Sequence, residues 1–342
     1  MLLKDYVPVS QLVVARDARK LPTMPVFDAH MHWGRLLLGE AYDRAYDTRE
    51  AVERLREAGI FKVVNLDGES GDALKRMLDK TAGFGDTIKT FGNLDLLRLD
   101  EPGFESYVYR TLRESKAAGI SGLKFWKVIS LVWKDRDGKY IPIDDPRLEC
   151  VWQAAGEMGL PITIHIADPI AFFEPADGRN ERYEELCEHP DWRFDGPGLF
   201  SFWELMRQQE NLIRSNPGTT FIVAHVGSCA ENLGNVSEQL DRYPNMYVDL
   251  SARFAELGRQ PYTAARFLEQ YADRVLYGSD FCPTDLSAYN VNFRFLETKD
   301  EYFDYTPGGG IPTQGRWKIY GVGLSTEALK KIYYENALRL IG

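Results

Sequence analysis

The chain has 342 residues, of which 44% are hydrophobic and 27% charged, with a formal net charge of −10. Those proportions belong to a globular protein with a sizeable core, and the length suits one large domain or two ordinary ones. An acidic surface repels phosphate backbones, which argues against a nucleic-acid partner, and no apolar run approaches the ~18 residues needed to cross a bilayer.

Residues 1–24 read as an arm; their apolar stretches are short and interrupted, unlike a signal peptide. From residue 25 onward, short β-rich runs alternate with helical patterns. The runs are 25–32, 60–67, 88–95, 121–127, 161–168, 219–227, 246–252 and 274–281. Between them lie patterns such as "TREAVERLREAG", with Thr48 as cap and Gly59 as stop, and two helices ending at Gly119 and Gly159. A last helix, "STEALKKIYYENALRLI", closes the chain. Eight strands alternating with helices predict an α/β fold, a (β/α)₈ TIM-type barrel. An open doubly wound sheet is the rival, disfavoured by the count of eight and by the lack of a Gly-rich loop after the first run. The expected layout is one barrel domain over 1–342: the arm, eight strands in 25–281, then a long loop and helix in 282–342.

Three connections, 128–143, 169–198 and 282–324, are too long for simple turns and follow strands. In a barrel they sit over the C-terminal mouth, where active sites are built. "PGGG" at 307–310 is the one flexible-looking spot. Cys150, Cys187, Cys229 and Cys282 show no metal-type spacing and read as free thiols of a reducing compartment, so a cytoplasmic protein is expected.

Only five histidines occur, and four fall at predicted strand ends: His30 and His32 on the first, His165 on the fifth, His225 on the sixth. Asp280 ends the eighth. Strand residues two apart share a face, so His30 and His32 can reach one ion, half of a metal site. A third imidazole and a carboxylate from across the barrel complete it, a donor set suited to Zn²⁺ and similar ions. A metal lowers the pKa of a bound water to about 7, and a carboxylate beside it can take the proton. One buried histidine alone is usually a packed, hydrogen-bonded residue; joint placement at three strand ends is harder to explain that way.

The stretches "FDAHMHWG", "ITIHIAD", "FIVAHVG", "LYGSDF" and "LKKIYYENALRLIG" together resemble the amidohydrolase superfamily. They look most like its branch of metal-dependent hydrolases and non-oxidative decarboxylases. The resemblance runs in order over 25–342 and excludes the arm and the 169–198 insertion. It implies His30, His32, His165 and Asp280 as ligands or near-ligands of a divalent ion, Zn²⁺ expected and Mn²⁺ able to use the same donors. It implies His225 as the imidazole that contacts water or substrate, or else a ligand to a second metal, and Asp280 as the proton acceptor. In two-metal relatives a carboxylated lysine bridges the ions at the position of Lys124; one metal is the expectation here.

Arg253, after the seventh run, is a candidate to hold an anionic group of the substrate, since guanidinium suits carboxylates. Lys124 and Trp33, the latter directly after the histidine pair, are further candidates for substrate contact. Lys127 is a rival of Lys124 for either role, although three residues away it should face the opposite side. Arg35, Arg179, Arg182, Arg316 and Trp317 lie near the expected mouth. Asp28 and Asp249 read as structural and His189 as a surface-loop residue. The expected activity is hydrolysis of a small lactone, amide or ester through a metal-activated water. Decarboxylation of an aromatic or unsaturated acid is the alternative, and a non-catalytic binding barrel the third. The partner expected is a small, anionic molecule, with no nucleic acid or membrane; the arm and the tyrosine-rich last helix could support a homodimer.

Overall fold

The computed structural model describes residues 6, 8–14, 17, 21–306 and 312–342. The glycine-rich 307–310 stretch and parts of the arm lie outside the described residues.

Eight strands form one sheet in sequence order: β1 (Val26–Met31), β2 (Ile60–Glu69), β3 (Ile88–Gly92), β4 (Gly122–Phe125), β5 (Ile162–Ile164), β6 (Phe221–Val223), β7 (Met246–Asp249) and β8 (Val275–Leu276). Every neighbouring pair is parallel. Hydrogen bonds from Ala29 N to Tyr277 O (2.9 Å), Asp280 N to His30 O (2.8 Å) and His32 N to Phe281 O (2.8 Å) bring the segment after β8 back against β1. The result is the expected eight-stranded barrel. Every residue of β1 and of β4 to β8 is buried. That is what a parallel sheet covered by helices on its outer face requires, and why these runs are rich in Val, Ile and Phe.

Two of the helices between strands start where a side chain satisfies their first amides. Helix Thr48–Glu57 is capped by Asp47, whose Oδ1 accepts from Glu50 N at 3.0 Å; Thr48 is the first helical residue instead of the cap. Helix Phe202–Ser215 opens with a capping box between Ser201 and Glu204.

Several strands are shorter than the apolar runs suggest. β5, β6 and β8 stop at Ile164, Val223 and Leu276, so His165, His225 and Asp280 lie on the turns beyond them. At His225 and Asp280 the backbone conformation itself excludes strand. His225, Val226 and Asp280 have φ of 59°, 58° and 68°, left-handed values that a strand cannot hold. Val226 has strong strand preference, and tertiary context overrides it. Likewise β4 ends at Phe125 and the chain turns into helix Val128–Leu131. Alternation therefore does not carry from Lys124 to Lys127, and Lys127 lines the cavity at the mouth, contrary to expectation.

The 169–198 insertion carries short helices at Ile170–Phe173, Tyr183–Glu188 and Pro190–Trp192. It is tied to other segments by Arg259 on Glu181 (2.7 and 2.9 Å) and Arg316 on Glu184 (both 2.7 Å). Among the described residues no helix is long and apolar enough to cross a membrane.

Candidate active site

The barrel mouth holds a cavity of about 1270 Å³ whose lining includes His30, His32, His165, His225 and Asp280. The four imidazoles are contiguous: ring centroids are 5.3 Å apart for His30–His32, 5.2 Å for His30–His225 and 4.3 Å for His165–His225. Asp280 reaches across them, its Oδ1 3.0 Å from His32 Nε2 and 3.4 Å from His30 Nε2. One donor atom each from His30, His225 and Asp280 lies within 4.8 Å of the others.

Hydrogen bonds fix which nitrogen each ring turns inward. His30 Nδ1 meets Asp249 Oδ2 at 2.8 Å and His32 Nδ1 meets Asp67 Oδ1 at 3.2 Å. His225 Nδ1 meets the carbonyl of Ser251 at 2.9 Å. Carboxylate and carbonyl oxygens only accept, so Nδ1 carries the proton in all three and Nε2 is left for the cavity. Such outer carboxylate and carbonyl partners are the usual support of metal-binding imidazoles. Backbone fit is tight here as well: a Cβ on Gly278 would stand 2.9 Å from His30 Cβ, and one on Gly34 would collide with Asp67.

This donor set fits a divalent cation. Two Nε2 atoms whose rings are already protonated at Nδ1 face one carboxylate oxygen, an arrangement that calls for positive charge among them. His165 Nε2 is buried with no hydrogen-bond partner among the described residues; Asp168 Oδ1 is 3.3 Å away but out of line.

The titration of these groups follows from burial and neighbours. Burial pushes His165 down to about 4, and pushes His30 and His225 down too. Burial works against a charged His32, but Asp280 and Asp67 raise it above its ordinary value. Burial would raise Asp280, yet His30, His32 and His225 hold it well below the usual carboxylate range. Asp249 is held low in the same way by His30 and His225, and Asp168 by Lys127 and His165.

The remaining candidates separate. Arg253 is buried and lines the cavity; its Nη1 donates to the Ala252 carbonyl at 2.8 Å, and among the described residues no carboxylate pairs with it. Lys127 lines the cavity and pairs with Asp168. Lys124 is fully buried beneath the site, its Nζ 3.5 Å from His30 Nε2, and burial pushes it down to about 8; it is not among the lining residues. Trp33 is also off the cavity: its ring packs edge-on against Tyr46 and its backbone N donates to Asn65 Oδ1 at 3.1 Å. Turning of the chain after Met31 sends it into the core, and Trp126 provides the tryptophan wall instead. Arg35 pairs with Glu69, Arg182 with Glu185 and Glu256, Arg179 with Asp177 and Arg316 with Glu184. Trp317 lies against the guanidinium of Arg259.

Asp28 is structural, as expected: its Oδ1 accepts from the amides of His30 and Ser279, each at 3.0 Å. Asp249 does more than expected, because it orients His30. Asp67, Asp168 and Ser251 were not singled out by sequence; the signal available was a carboxylate or hydroxyl at a strand end beside a candidate histidine. His189 is exposed but lines the cavity, stacked on Trp192 at 4.0 Å.

The fold resembles several solved structures. A dihydroxybenzoic acid decarboxylase from Polaromonas sp. JS666, with bound manganese and the inhibitor 2-nitroresorcinol, matches with TM-score 0.59 and 14% identity over 93% of this chain and 97% of that one. An uncharacterised TIM-barrel protein from Bordetella bronchiseptica gives 0.57 and 14% over 93% and 98%. A 2,6-dihydroxybenzoate decarboxylase from Rhizobium gives 0.55 and 16% over 93% and 98%. At these identities the likeness is one of fold. No protein of curated function matches the sequence. The amidohydrolase family model matches residues 27–342, and the chain belongs to that family.

Proposed function

We propose that this protein is a metal-dependent hydrolase that opens a small carbonyl compound, a lactone, amide or ester bearing an anionic group. The observation that carries the reading is the convergence of His30 Nε2, His32 Nε2 and Asp280 Oδ1 at the floor of a cavity, with His225 and His165 beside them. His30, His32, His165 and Asp280 would hold one divalent ion, with His225 either joining them or turned to the substrate. Zn²⁺ and Mn²⁺ both suit such nitrogen and oxygen donors. When bound, the ion acts as a Lewis acid and brings the pKa of a water to about 7.

The chain's own groups do the rest. Asp280 is 28% exposed at its side chain and faces the cavity, so it can take a proton from water there and return it to the leaving group. Asp249 and Asp67 hold the imidazoles in one tautomer. Arg253, a buried cation with no carboxylate partner among the described residues, holds the substrate's anionic group. The four cysteines are unpaired, which fits a reducing compartment such as the cytoplasm.

A second reading is decarboxylation of an aromatic acid. Its support is the aromatic wall, Trp126, Trp133, Phe172 and Trp192, together with the activity named for two of the similar structures. One experiment decides. The metal-loaded protein is offered carboxylate-bearing lactones, esters and amides with acid release followed, and aromatic acids with CO₂ release followed. Acid release abolished by Asp280→Asn is the expected result; CO₂ release without hydrolysis would replace the reading with the second one.

A further inference from the structure

Outside the N-terminal arm, four leucines among the described residues are exposed: Leu36 and Leu37 at 50% each, Leu97 at 66% and Leu338 at 37%. All but Leu338 line the cavity that ends on the histidines. They come from two separate segments, the short helix Arg35–Leu38, none of whose residues is buried, and the turn Leu96–Arg98. A single exposed leucine needs no explanation, whereas apolar residues from two segments converging on one cavity mark a binding surface. Phe172 and Trp192, ring planes 20° apart, line the same cavity. At about 1270 Å³ the cavity also exceeds the roughly 300–1,000 Å³ that drug-sized ligands occupy. The histidines and Asp280 can engage only a few atoms of whatever fills it.

We propose that the substrate is an amphiphile: a polar carbonyl head at the histidine cluster and an apolar tail of several carbons running out along Leu36, Leu37 and Leu97. The head's chemistry rests on the hydrolase reading; the tail does not. Continuity of the leucines with the cavity floor favours a substrate tail over a second copy of the chain as what covers them. The three leucines then select for tail length, and the donors below them select for the head.

The test is binding to the full chain, read by calorimetry or by quenching of the cavity tryptophans. The probes are n-alkanoates from acetate to decanoate and n-alkanols from ethanol to octanol. Affinity is expected to rise about fourfold per methylene in both series, the scale of burying one CH₂. A Leu36→Ser/Leu37→Ser/Leu97→Ser variant, changed only at exposed positions and with an unaltered melting temperature, should flatten both slopes. A flat series in the wild type, or a steep one that the variant leaves unchanged, overturns the proposal. A flat series together with a dimer that the variant splits in sedimentation would assign the leucines to a second copy and overturns it too. Steep binding without turnover of matching esters or lactones would sink the hydrolase reading and leave the amphiphile standing.

Discussion

Asp249 Oδ2 lies 2.8 Å from His30 Nδ1, and both side chains are buried. The other oxygen of the same carboxylate accepts from the backbone N of His225 at 3.0 Å, so one residue sets two site histidines. Asp249→Asn would offer an amide N–H to Nδ1, move the ring proton to Nε2 and point it at the donor cluster. Metal affinity is expected to fall ten- to a hundredfold, the usual cost of losing such a support. Competition with a chromophoric chelator measures it, with circular dichroism to check that the barrel is intact.

That relationship also marks how far sequence reaches. The eight β-rich runs and the placement of His30 and His32 were legible, because barrel strands are continuous apolar runs and the pair sits on one. The left-handed turns at His225 and Asp280 were not, because neither valine nor histidine nor aspartate announces such backbone. The partners Asp249, Asp67 and Ser251 were hidden for another reason: their role comes from strands meeting across the barrel, a distance of 219 residues in the His30–Asp249 pair. Lys127 lines the cavity, the reverse of the placement alternation suggests, because the period-two pattern ends where the strand ends, and Trp33 does not.

Burial holds His165 at about 4, and His30 and His225 below their ordinary values as well. For His165 the folded state binds fewer protons than the unfolded state between pH about 4 and 6.5. Its contribution to stability is therefore complete above 6.5 and lost as pH falls through that window. His32, which is raised, works in the opposite sense. Denaturation curves of the metal-free protein should lose up to about 3 kcal/mol more between pH 7 and 4 than those of His165→Asn. Equal losses in the two proteins would refute the assignment.

Arg253 gives a prediction on substrate binding. Arg253→Ala should raise KM for a carboxylate-bearing substrate about ten- to a hundredfold, the range for a charge-assisted hydrogen bond, with a smaller effect on kcat. A neutral substrate should show little change. Steady-state kinetics on a matched acid and methyl ester would tell the two apart, and an unchanged KM for the acid would remove Arg253 from the site.

Asp28 bears on stability. Burial raises it to about 6, so the folded state keeps a proton that the unfolded state has lost between pH 3.8 and 6. That stability is present at low pH and disappears as pH rises through 6. Asp28→Asn keeps an acceptor for the amides of His30 and Ser279 and should lack this slope. Asp28→Ala strands both amides and the Tyr289 hydroxyl, and should cost about 3 kcal/mol in thermal or chemical denaturation.

The most direct measurement is metal content by elemental mass spectrometry, on protein purified without added metal and on a His30→Ala/His32→Ala variant. About one divalent ion per chain in the wild type and none in the variant is the predicted result, with an intact mass that leaves Lys124 unmodified. No ion in the wild type even after reconstitution would contradict the site, and two ions with a carboxylated Lys124 would contradict the single-metal account.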